Sequence, residues 1–154
     1  MPRVPSPSAQ LKSFIAKFSP PNQRLIRAVR RRLRQRLPSA VELVYDNYNF
    51  FVIGLGPTER PSEAILSIAA ASNGVSICLF HGARLPDPSH LLTGAGKQVR
   101  FLRIPDPAIL STPAAKALID LTIARSPIPF PKGTRGKLVI RSIAAKQRPR
   151  QRPK

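Results

Sequence analysis

One cysteine, no tryptophan and only seven acidic residues in 154 positions remove several classes of protein at the outset. The lone Cys78 excludes an intramolecular disulfide framework. No run approaches the roughly 20 apolar residues that span a bilayer, and Pro2, Pro5 and Pro7 interrupt the stretch a signal peptide would need unbroken. These absences predict a cytoplasmic chain with no membrane partner. The sparse acids, Glu42, Asp46, Glu59, Glu63, Asp87, Asp106 and Asp120, form no recognisable catalytic pair, and no serine stands in a nucleophile elbow. The sequence thus favours a non-enzymatic binding module, with no catalytic residue, cofactor or metal assigned.

What the chain has in excess is positive charge. It carries 26 Lys and Arg and a formal charge of +19, a surface that attracts polyanions. Residues 131–154 hold nine Lys/Arg with no acid, residues 1–21 hold three, and residues 22–130 set 14 basic groups against all seven acids. A hydrophobic content of 42% in a chain of this length supplies one core.

Periodicity divides the chain into a disordered N-terminus over 1–7, a docking helix and linker over 8–21, an α+β domain over 22–126, and a Pro-rich linker and basic tail over 127–154. Ser8 can cap a segment in which Leu11, Phe14, Ile15 and Phe18 recur at helical spacing. Pro20 and Pro21 break the chain, and a helix follows from Asn22 to Leu37. Its apolar stripe is Leu25, Ile26, Val29, Leu33 and Leu37. Arg24, Arg27, Arg31 and Arg34 lie across the opposite face, with Arg30, Arg32 and Arg36 towards the edges.

From Val41 the period becomes two. Val41–Tyr45 and Asn49–Ile53 read as strands, as do Ala64–Ala70 and Val75–Phe80, joined through Ser72-Asn73-Gly74, and Gln98–Ile104 makes a fifth. Ser111 or Thr112 can cap a last helix, to about Arg125, with Ala114, Ala117, Leu118 and Leu121 inward. The apolar Leu138-Val-Ile140 can add an edge strand. The expected architecture is a two-layer α+β sandwich, a mainly antiparallel sheet of about five strands covered on one face by the N- and C-terminal helices.

Four ordered segments carry a resemblance: Leu37-Pro-Ser-Ala-Val-Glu-Leu-Val-Tyr-Asp-Asn-Tyr-Asn49, Pro57-Thr-Glu-Arg-Pro-Ser-Glu63, Gly82-Ala-Arg-Leu-Pro-Asp-Pro88, and Leu91-Leu-Thr-Gly-Ala-Gly-Lys97 with Arg100. Over roughly residues 10–130 the chain resembles the bacterial family called domain of unknown function 1801, or YdhG-like. The resemblance implies a frataxin-like fold and raises an iron or metal carrier as the alternative function. Iron handling of that kind is thought to use clustered carboxylates on the first helix, whereas seven arginines and no acid occupy residues 24–36 here.

The leading expectation is a polyanion partner, nucleic acid or a phosphorylated protein, met by Arg24, Arg27, Arg31, Arg34, Lys97, Arg100, Arg148, Arg150 and Arg152. Arg24 to Arg36 covers about 18 Å of helix, enough for several phosphates; the bland alternative is a solvated face. Arg148-Pro-Arg-Gln-Arg-Pro-Lys154 resembles a minor-groove hook, with Gln151 where such a hook uses Gly. Gly94-Ala-Gly-Lys97 lacks both the first Gly and the Ser/Thr of a phosphate loop and reads as a turn. Tyr45, Asp46, Asn47, Tyr48 and Asn49 gather hydrogen-bonding groups as either a small-ligand pocket or a pinned turn would. Cys78, His81 and His90 lack ligand spacing and read as a buried thiol and loop histidines. The oligomeric state is left open.

Overall fold

The computed structural model describes residues 4–152. The first helix, α1 (Pro7–Ile15), begins before the expected Ser8: Ser6 is the cap, its Oγ accepting from the Ala9 N–H. Pro7 suits the first helical position because a proline has no N–H to leave unpaired there. The same physics moves the start of α2 (Pro20–Arg36). Pro20 and Pro21, expected to break the chain, open that helix. Of the segment expected to be disordered, residues 1–3 lie outside the described residues, and Pro7 is helical.

The fold is α+β, with a seven-stranded mixed sheet in place of the five antiparallel strands expected. Strands β1 (Val41–Asp46), β2 (Phe51–Gly56), β3 (Leu66–Ala71) and β4 (Gly74–Leu79) form an antiparallel meander. Gly74, at φ 127°, permits the tight β3–β4 turn. β5 (Leu92–Thr93) and β6 (Arg100–Ile104) extend the sheet beyond β4, while β7 (Leu138–Ile143) adds to the other edge, parallel to β1. The order is β5-β6-β4-β3-β2-β1-β7. The segment expected as linker and tail therefore supplies a full strand.

Alternate side chains of the strands, among them Val44, Ile53, Leu55, Leu66, Ile68, Ile77, Leu79 and Leu102, form one core with the helices. α1 and its exit contribute Leu11, Phe14, Ile15 and Phe18, and α2 contributes Ile26, Val29 and Leu33. The last helix, α3 (Pro113–Ala124), is capped by Thr112, whose Oγ1 accepts from the Ala115 N–H. It buries Ala115, Leu118, Ile119 and Thr122, a face rotated from the one expected. Ala114 and Leu121 are only half-buried and Ala117 is exposed. An Arg36–Asp120 ion pair at 2.9 Å links α3 to α2, and Ile119 rather than Ala117 packs in the core.

Candidate polyanion-binding groove

The arginines of α2 divide by what they touch. Glu42 on β1 points to the helix-bearing face and is almost fully buried. Its carboxylate accepts a bidentate pair from Arg30, at 2.7 and 2.9 Å, and lies 3.4 Å from Arg34. Such a fork fixes the helix over the strand with two parallel bonds. Arg32 donates to Ser111 and Arg36 to Asp120. Arg24, Arg27 and Arg31 are exposed and make no hydrogen bond or ion pair among the described residues. The edge arginines thus hold the fold, and three of the four expected on the open face are left to solvent. Arg34 is the exception: it is half-buried and shares Glu42.

Beside this face runs a groove of about 1060 Å³ between α1, α2 and the segment that enters β7. Lys12 comes from α1, Arg27, Arg30, Arg31 and Arg34 from α2, and Arg135 from the incoming segment. Apolar side chains Leu11, Ile15 and Leu138 complete the lining. Six cations therefore converge where the nearest carboxylate, Glu42, is already taken. Lys12 and Arg135 escaped the sequence reading, because only the fold of β7 back onto β1 brings them beside α2.

Gly136 sets that close approach. Its N–H donates to the Pro38 carbonyl at 3.0 Å, and a Cβ added there would overlap the Ala40 carbonyl. Only glycine lets the chain pass so near the α2–β1 connection.

The remaining expected cations lie elsewhere. Lys97 is exposed beside β6, and Arg100 donates to the carbonyls of Gly96 and Val99, closing the Gly94–Lys97 turn. Five strand spacings of about 4.8 Å, or ~24 Å, separate β6 from β7, so neither shares the groove. Arg148 lies over the Tyr48 ring, 5.7 Å from its centroid, and Arg152 is exposed. Arg150 departs furthest from expectation. It is only 4% exposed, donating to Asp46 Oδ1 at 2.9 Å and to the Asn47 carbonyl at 2.6 Å. The basic end, expected to hang free for phosphates, is folded onto the β1–β2 turn because Asp46 is a buried carboxylate in need of cations.

Around Asp46 the backbone and the Asp46 and Asn47 side chains are engaged in internal hydrogen bonds, as a pinned turn requires. Lys17 donates to Asp46 Oδ2 at 2.6 Å, and the Asp46 carbonyl accepts from Ala144 N–H and Gln147 Nε2. The Ser142 hydroxyl donates to Asn47 Oδ1, and the Tyr48 carbonyl accepts from the Arg148 N–H. None of the three cavities of 1060, 340 and 210 Å³ is lined by Tyr45, Asp46, Asn47, Tyr48 or Asn49. Burial pushes the Asp46 carboxyl upward, but hydrogen bonds from Lys17, Gln147 and Arg150 and the Lys17 charge outweigh it and hold it below the ordinary value. Burial also raises the Cys78 thiol, against a lesser lowering by a hydrogen bond from Ser67.

Asp87, between two prolines, accepts from the N–H groups of Leu91 and Leu92 and thereby fixes its loop. Among the described residues no three His, Cys, Asp or Glu side chains gather as a metal site would require, and no helix is long and apolar enough to cross a membrane. A cationic α2 is the wrong donor set for a hard metal ion.

Comparisons with family models, curated proteins and solved structures gave no match. The groove's own chemistry is what bears on function.

Proposed function

We propose that this protein is a non-enzymatic polyanion-binding module, of the YdhG-like kind its motifs resemble, whose partner is nucleic acid or a phosphorylated protein. One observation carries the reading: Lys12, Arg27, Arg31 and Arg135 converge on one groove with no carboxylate paired to any of them among the described residues. Unpaired cations gathered on a concave surface repel one another, and an anionic ligand relieves that repulsion. Lys97, Arg100, Arg148 and Arg152 add long-range attraction rather than contact. The buried Arg150 holds the turn instead.

Fluorescence anisotropy with a labelled 20-base-pair duplex and with inorganic polyphosphate at 50 mM salt tests this reading. The Arg27→Gln/Arg31→Gln variant is expected to lose about tenfold in affinity for whichever binds, some 1.4 kcal/mol. Equal affinity of variant and natural chain would contradict it. The metal-carrier alternative has no observation in its favour.

A further inference from the structure

We propose that the groove seats one sugar-phosphate ridge of a nucleic-acid duplex and grips it through phosphates alone, without reading bases. The proposal rests on the polyanion reading above and narrows it to one ligand.

Shape argues first. The convex part of a duplex is its backbone, whereas base edges lie at the bottom of its grooves, where a protruding helix or strand must reach. Here the cations line a concavity, supplied by three separate segments: Arg27 and Arg31 from α2, Lys12 from α1, Arg135 from the entry to β7. A ridge of phosphates fits between such segments, and a base edge does not. Of the aliphatic lining only Leu138 is partly exposed, Leu11 and Ile15 being buried in the core, so the groove meets a ligand chiefly through its cations.

The second argument is the lack of aromatics. Proteins that hold single strands stack bases on aromatic rings, and no lining residue of the groove is aromatic. Tyr48, Phe50 and Phe101 are exposed but line none of it, and the Arg148 guanidinium lies over the Tyr48 ring. A stacking platform beside the cations is therefore missing, while phosphate contacts need none.

Spacing is consistent with this choice. Arg27 and Arg31 are one helical turn apart, about 6 Å along the axis, so both can meet phosphates of one strand, which carries one charge per 3.4 Å or so of duplex axis. With four cations each neutralising one phosphate, the groove contributes about −3.6 to the slope of log affinity against log salt on duplex DNA.

The test uses the full chain and three probes: 20-base-pair duplexes of unrelated sequence, the matching single strands, and inorganic polyphosphate. Unrelated duplexes should bind within twofold of each other and at least tenfold more tightly than single strands. Lys12→Ala/Arg27→Ala/Arg31→Ala/Arg135→Ala should flatten the duplex slope by about 3.6, and Arg27→Ala alone by about 0.9. Lys116→Ala, exposed on α3 and away from the groove, serves as the charge-loss control and should leave the groove's share intact. Circular dichroism of each variant establishes that it is folded. Preference for single strands, discrimination among duplex sequences, or binding of polyphosphate without duplex would overturn the proposal while leaving the polyanion reading standing. No binding of any of the three would remove both.

Discussion

Asp46 and Arg150 show how far a single carboxylate can reorganise a chain this basic. Asp46 takes Lys17 from the α1–α2 corner and Arg150 from the C-terminal segment, so it joins three parts of the chain. Arg150 is costly in its turn: Nε and Nη1 are buried without a protein partner, and the guanidinium lies 5.9 Å from the centre of the Phe18 ring. Removing the partner of a buried charge costs more than the pair itself contributes. Asp46→Ala is therefore expected to lower stability by about 3–5 kcal/mol in urea unfolding, and Arg150→Met, which leaves Lys17 in place, by less. If Arg150→Met costs nothing, the clamp contributes no stability.

The same carboxylate sets a pH dependence. Its folded pKa is depressed, so its stabilisation is complete above the unfolded value near 4 and is lost as pH falls through the folded value. Unfolding followed between pH 7 and pH 2 should show an acid loss that Asp46→Asn largely abolishes. Glu42 offers a contrasting case. Glu42→Gln removes the negative charge and turns one of the two oxygens that Arg30 and Arg34 use into an N–H donor, which should lower stability by about 3 kcal/mol, yet loosen two guanidiniums beside the groove and tighten polyanion binding. A variant that loses both stability and affinity would contradict that division of labour.

At the scale of elements, the features most legible in the sequence were those with strong local patterns. The stripe of Ile26, Val29 and Leu33 gave α2, and alternation with Asn73-Gly74 between gave β3 and β4. β7 was harder to place because Leu138-Val-Ile-Arg-Ser-Ile143 is only half-buried, and its parallel partner β1 lies 96 to 97 residues earlier. The two-residue β5 has no pattern long enough to read. Of the site, the exposed arginines of α2 were visible as a stripe, but Lys12 and Arg135 join them only through tertiary structure. Arg150 was misplaced because a basic, Pro-rich end looks solvated until its acceptor is known. The element-scale prediction concerns Gly136. Gly136→Ala must push β7 away from Ala40, at a cost of about 2 kcal/mol, and should widen the groove. Hydrogen exchange should quicken selectively at residues 138–143, and unchanged exchange there would show that the strand docks without this close approach.

For the whole molecule, the decisive quantity is where the excess charge ends up. Every one of the seven carboxylates is occupied: Glu42 and Asp46 by buried pairs, Glu59 by Lys137, Glu63 by Thr58 and Arg60, Asp87 and Asp106 by backbone N–H groups, and Asp120 by Arg36. Glu42 and Asp46 hold the fold together through buried pairs, and the surplus cations have no carboxylate left to pair with. They are not spread evenly, since the β7 edge gathers Lys12, Arg27, Arg31 and Arg135 while Lys97 and Arg100 lie near the opposite edge. Amide chemical-shift mapping during titration of the full chain with a short duplex locates the partner's footprint directly. Shifts should concentrate at residues 8–15, 27–35 and 135–138 and spare residues 94–100. A footprint centred on residues 94–100, or on residues 146–152, would contradict the assignment of function to the groove.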